Sequence, residues 1–193
     1  MGQNQFRIAG WCIVIALMLG GFNSFVVAAD KKKEKRQEIR NMAHKTLNRL
    51  YSIHPSAKAA VENAKGYAVF SNFGMKIFLA GGGSGSGIAV NRVTKQETFM
   101  KMAEIQAGLG IGIKKFSVVF VFETEQALNN FVNQGWEFGG QATAAAKAGE
   151  KGGALAGATS VSPGVWMYQF TDTGLAAEIT AKGTKYYKDS GLN

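Results

Sequence analysis

Ala57-Lys58-Ala59-Ala60-Val61-Glu62-Asn63-Ala64-Lys65-Gly66-Tyr67-Ala68-Val69-Phe70 is the stretch where the chain changes period. The residues up to Lys65 are alanine-rich helix formers, and Gly66 suits a helix C-terminus. From Tyr67 onward the spacing is alternating, as in a half-buried strand. Working outward from Gly66, the upstream side reads as helix and most of the downstream side as strand.

Upstream, residues 30–65 form two predicted helices. Asp30 is a plausible cap for the first. Ile39, Met42, Ala43, Leu47 and Leu50 recur at helical spacing and make one apolar stripe. Ser52 to Ser56 is a turn, and Pro55 suits the first turn of the second helix.

Downstream, Tyr67–Phe70, Lys76–Gly82 and Gly85–Asn91 read as short strands. Thr98–Ile113 reads as one long strand or two broken ones, with Leu109, Ile111 and Ile113 alternating with Gly108, Gly110 and Gly112. Phe116–Phe122 is a buried strand by composition. Thr124 can cap a short helix running to about Asn133, with Ala127, Leu128 and Phe131 inward. Trp136–Ala146, Gly164–Thr171 and Gly174–Tyr187 supply the remaining strands.

Of 193 residues, 25 are glycine and 2 are proline. That imbalance argues against a disordered Pro/Gly-rich chain and for backbone that bends or approaches backbone closely. The expected fold is therefore α+β. N-terminal helices pack on a strongly curved, glycine-rich antiparallel β-sheet or partly closed barrel, with one short inserted helix.

The first 29 residues read as a signal peptide, leaving residues 30–193 as a single domain. Arg7 precedes the apolar run Ile8–Leu19, and Val27-Ala28-Ala29 is a small-residue cleavage pattern. The alternative is an uncleaved membrane anchor. Cys12, the only cysteine, leaves with the signal, so no disulfide or thiol chemistry remains. The expected location is periplasmic or outer-membrane-associated.

The net charge is +9. For an exported chain this points to an anionic phospholipid or membrane surface rather than nucleic acid. An envelope protein partner is a further possibility.

Catalytic signals are weak, and the chain is read as a non-enzyme without cofactor or metal. Gly81-Gly82-Gly83-Ser84-Gly85-Ser86-Gly87 fits neither a P-loop, which ends in Gly-Lys-Ser/Thr, nor the dinucleotide fingerprint. It is expected to be a hairpin with glycines for curvature, with a backbone nest for a lipid phosphate as the lesser reading. His44 and His54 lack metal-ligand spacing to any partner.

The strongest positive signal is the basic helix. Lys31, Lys32, Lys33, Lys35, Arg36, Arg40, Lys45 and Arg49 are the candidate lipid-binding residues. A basic amphipathic helix can lay its apolar stripe into a bilayer with its cations on headgroups. Equally, the stripe can pack on the sheet and leave the cations to solvent or lipid. A competing function is envelope assembly through an exposed sheet edge.

Several motifs occur in an order that resembles the SYLF domain family. They are Ala64-Lys65-Gly66-Tyr67-Ala68-Val69-Phe70, the Gly81–Gly87 run, Gly108-Leu109-Gly110-Ile111-Gly112, Phe138-Gly139-Gly140, and Tyr168 through Gly174-Leu175 with Tyr186-Tyr187. The resemblance covers roughly residues 40–193. It implies phospholipid binding, with a basic N-terminal helix corresponding to Lys31–Leu50. The actin and phosphoinositide binding of eukaryotic relatives does not carry over to an exported bacterial protein. Asn91–Ile105 lacks the tryptophan-containing segment of eukaryotic members.

Overall fold

The computed structural model describes residues 6–77, 80–107, 112–138, 157–171, 174–175 and 184–193. The chain forms two compact units, Met1–Glu38 and Ile39–Asn193. Helix α1, Phe6–Ile53, begins in the first and ends in the second. Helix α2 is Ser56–Asn63, with Pro55 at its N-cap. The two helices break at the predicted turn.

Twelve-residue strands β1 (Gly66–Ile77) and β2 (Ala80–Asn91) follow. Where three short strands were expected, there are two long ones. The polar interruption Ser71-Asn72 stays in the ladder, paired to Ser86 and Gly85. Strands β3 (Glu97–Ala107) and β4 (Gly112–Phe122) are the broken form of the Thr98–Ile113 reading. The glycine alternation at 108–111 lies outside the described residues.

Helix α3 is Glu125–Gln134, and the Thr124 hydroxyl accepts from the Ala127 amide at 3.1 Å, as its sequence predicts. Gly135 ends the helix at φ +71°, a conformation costly for any residue with a side chain. Strands β5 (Trp136–Phe138), β6 (Thr159–Ser162), β7 (Val165–Thr171), β8 (Gly174–Leu175) and β9 (Thr184–Lys188) complete the domain. The segment β6 has no counterpart in the sequence reading. The expected strand continuations at 139–146 and 176–183 lie outside the described residues.

The strands form one antiparallel sheet ordered β5-β9-β3-β2-β1-β4-β7-β6, with β8 on β7. Period-two alternation separates its two faces. On one, Phe70, Met100, Met102, Phe116, Val118, Phe120, Phe122 and Tyr186 enclose Leu128 and Phe131 of α3. On the other, Val69, Ile88, Phe99, Val119, Val121 and Tyr168 meet Ile39, Ala43, Leu47 and Leu50 of α1 and Val61 of α2.

The sheet is strongly curled. Trp136 on β5 and Phe120 on β4 are five strand steps apart in the order. In a flat sheet that is about 24 Å, yet their ring centroids are 5.5 Å apart. Tyr186 on β9 likewise reaches Phe120 at 5.0 Å. Only a sheet rolled around α3 brings these rings together. The glycine run makes the roll possible. At Gly87 a Cβ would strike the Phe70 ring and come within 2.6 Å of the Val69 carbonyl oxygen. The bare backbone of β2 at Gly87 and Gly85 thus makes room for Phe70 of β1 and Met102 of β3.

Candidate lipid-contact surface

A helix turns about 100° per residue, so consecutive cations encircle it. Lys31, Lys32 and Lys33 are all exposed. Lys35, also exposed, pairs with Glu38 at 2.8 Å one turn on, and Arg36 is half-buried. Within the Met1–Glu38 unit these five are clustered, with the exposed Glu34 and Glu38 among them.

The other three candidates belong to the sheet-bearing unit and differ among themselves. Lys45 and Arg49 are exposed. Arg40 is held in place: its Nη2 and Nε both lie 2.8 Å from Glu97 Oε2, and its guanidinium sits 5.2 Å above the Phe99 ring. A cation so engaged has a structural task. Glu97, read in the sequence only as one of several scattered acids, is its partner 57 residues away. No local signal could have found that pair.

The apolar stripe is also occupied. Ile39 and Leu50 are 3% and 0% exposed, and Ala43 and Leu47 are buried with them against the sheet. Burying each isoleucine or leucine contributes about 1.5–3 kcal/mol. Inserting them into a bilayer would first require that packing to be undone. From Ile39 onward the helix can therefore offer lipid its cations but not its stripe.

The glycine run is not a loop. Gly81–Gly87 lies in β2, paired with β1 on one side and β3 on the other. Its amides belong to a central ladder: the run lies in the second strand of the β1–β2 hairpin, in keeping with the hairpin expectation, and the phosphate-nest reading is overturned. Among the described residues no group of histidine, cysteine or carboxylates could hold a metal. His44 is exposed. His54 packs on Tyr168 at 5.9 Å, with Gly157 so close that a Cβ there would lie 2.5 Å from its Nε2. A cavity of about 260 Å³ opens between α3 and the β6–β7 turn, lined by Phe122, Asn130, Phe131, Gln134, Trp136 and Val165 among others. Its lining includes the Ser162 hydroxyl, with no carboxylate, histidine or lysine among the lining residues to activate it.

Burial raises the hydroxyl pKa of three tyrosines. Tyr51 is pushed up to about 12, first by desolvation and then by Tyr67 and Glu62. Tyr67 and Tyr168 are raised for the same first reason. All three pack against the α1–α2 face of the sheet, which marks them as structural groups.

Residues 103–193 match a family model described as Ysc84, Las17-binding protein actin regulator. The matched stretch starts within β3 and takes in everything after it. A curated relative, Beta cell expansion factor A of Aeromonas veronii, is 36% identical over 160 residues. The alignment covers 83% of this chain and 59% of the relative, so the chain spans about three-fifths of that protein's length.

Proposed function

Because the chain belongs through residues 103–193 to the Ysc84, or SYLF, family, we propose that it is an exported protein that attaches to anionic phospholipid surfaces. In this reading it acts by binding, without catalysis or cofactor, in the periplasm or on the outer membrane. Family membership supports lipid binding. The observation that carries the anionic preference is the exposed run Lys31-Lys32-Lys33, continued by Lys35 and Arg36. Lys45 and Arg49 are exposed on the sheet-bearing unit. Arg40 is left out of the contact because Glu97 and Phe99 engage it.

The mechanism is electrostatic attachment. Each cation near an acidic surface is worth about 1 kcal/mol, and the attraction fades beyond a Debye length. The leader Ile8–Leu19 with its Val27-Ala28-Ala29 junction supports export. Co-sedimentation with vesicles at two ionic strengths tests the reading. Vesicles rich in acidic lipid are expected to carry the protein down in dilute buffer and to release it as salt rises. Replacing Lys31, Lys32 and Lys33 by Gln should weaken binding about a hundredfold. Absence of co-sedimentation with acidic vesicles in dilute buffer would overturn it.

A further inference from the structure

Strand β2 turns into β3 through Arg92-Val93-Thr94-Lys95-Gln96. The turn is held by its own hydrogen bonds. The Asn91 carboxamide oxygen accepts from the amides of Val93 and Thr94, both at 2.9 Å. The Asn91 amide donates to the Gln96 carbonyl at 2.9 Å, and the Gln96 amide to the Thr94 hydroxyl at 3.3 Å. Arg92 ties the turn to its surroundings. Its amide donates to the Lys65 carbonyl at 2.9 Å, and its Nη1 to the Val61 carbonyl of α2 at 2.6 Å. The tip is therefore fixed in place.

Two residues in it break the rules such a turn obeys. Turn positions favour Gly, Asn, Asp and Ser, yet the tip carries the β-branched Val93. Val93 is 55% exposed, and among the described residues the only other large apolar side chain left exposed is Tyr187. Lys95 sits at φ +62°, the one residue other than glycine with a positive φ among those described. Glycine or asparagine would take that conformation at less cost, and this chain uses glycine freely elsewhere. A single exposed valine is ordinary on a protein surface. An apolar tip beside a cation held in a costly conformation is a local conflict of the kind that gathers at functional sites. The surrounding charge has one sign. Lys65 and Lys95 are exposed, and neither is in an ion pair among the described residues. Glu97, which follows the turn, is engaged by Arg40 at 2.8 Å, and Glu62 of α2 faces Lys58 at 4.0 Å.

We propose that the β2–β3 turn is a second lipid contact, with Val93 entering the interface of a bilayer that contains acidic phospholipid and Lys95 and Lys65 meeting its headgroups. Apolar residues at the acyl boundary with cations at the headgroups are what an interfacial contact requires, on a turn as on a helix. The hydrogen-bonded tip presents both groups without first having to be ordered, which lowers the entropy lost on contact. The proposal rests on the lipid-binding reading above but does not depend on the basic helix.

The test uses the full chain and vesicles of phosphatidylethanolamine and phosphatidylglycerol in dilute buffer. Val93→Ser should weaken co-sedimentation about tenfold, through the lost apolar contact. Lys95→Gly should weaken it about fivefold, through one lost cation, while the unfolding midpoint holds or rises because glycine accepts the positive φ. Binding and stability would then part company, which a merely structural role for Lys95 does not predict. Val93→Trp should add emission that brominated acyl chains quench, beyond any quenching of the parent chain's own tryptophans. If Val93→Trp co-sediments without that added quenching, or if Val93→Ser and Lys95→Gly bind as the parent does, the second contact is wrong and the lipid reading survives. If Lys95→Gly loses binding only in step with lost stability, the proposal is likewise overturned. If the parent itself fails to co-sediment, both readings fall. A blue shift of Trp at 93 that grows with protein concentration without vesicles would mean that a second copy covers the turn, and would overturn the proposal.

Discussion

The side-chain amide of Asn193 pairs with the backbone of Phe99 as a strand partner would. Its Oδ1 accepts from the Phe99 amide at 3.0 Å, and its Nδ2 donates to the Phe99 carbonyl at 2.8 Å. The same Nδ2 also reaches the Asp189 carbonyl at 2.6 Å. Asn193 thus extends the β3–β9 ladder beyond Met100, the last β3 residue that β9 pairs. It fastens the end of β3 that also carries Glu97, the partner of Arg40.

Asn193→Ala therefore takes its side-chain acceptor from the Phe99 amide, while the Phe99 carbonyl keeps the Asp189 amide and the Asp189 carbonyl keeps the amides of Leu192 and residue 193. The expected loss is about 2 kcal/mol, since a hydrogen bond contributes about 1 kcal/mol net and orphaned groups cost more. Chemical denaturation checks it: the midpoint should fall while the slope is unchanged. An unchanged midpoint would show that the amide contacts contribute nothing.

Gly87→Ala is expected to destabilise by about 1–3 kcal/mol through overpacking, because the new methyl must displace the Phe70 ring on a central strand. Phe70→Leu should recover part of that loss in the double variant. The two changes should therefore be non-additive when measured by thermal unfolding. Strict additivity would exclude the close approach of ring and backbone.

Arg40→Ala should behave unlike Lys31→Ala. Losing the Arg40–Glu97 pair is expected to cost about 1 kcal/mol of stability, with a comparable coupling energy in a cycle with Glu97→Ala. Vesicle binding should change little. Lys31→Ala should do the reverse, leaving stability intact and weakening attachment. If Arg40→Ala reduced binding as much as Lys31→Ala, the division of the helix into lipid-facing and sheet-tethering cations would be wrong.

Stability should fall at alkaline pH. The folded state holds the Tyr51 proton up to about 12, against 10.0 for the unperturbed group, and Tyr67 is raised in the same direction. The unfolded chain thus releases these protons first. Their contribution is complete below pH 10 and drains away as pH climbs through the folded-state value. Denaturation midpoints between pH 8 and 12 should show the decline, and Tyr51→Phe should flatten part of it. An identical pH profile for that variant would remove Tyr51 from the account.

Local pattern made a large part of this fold legible. The change of period at Gly66, the break at Pro55, the Thr124 cap and the alternation in Phe116–Phe122 are set within a few residues of chain. Steric preference and hydrogen bonding along the backbone decide them without help from distant contacts. The positive charge of residues 31–49 is likewise a property of composition.

Three matters were decided only in the tertiary structure. Gly81–Gly87 could be read as a curved hairpin or as a backbone nest for phosphate. Pairing with β1 and β3 made it the middle of a sheet, where the absent side chains leave room for Phe70. The stripe from Ile39 to Leu50 suited a bilayer as well as a core, and the nearby face of Val69, Ile88 and Val119 claimed it. Arg40 resembled its basic neighbours until a register set by the whole sheet put Glu97 beside it. Periodicity fixes which residues share a face; what that face meets depends on strand order and curl, which arise from packing between segments far apart in the chain.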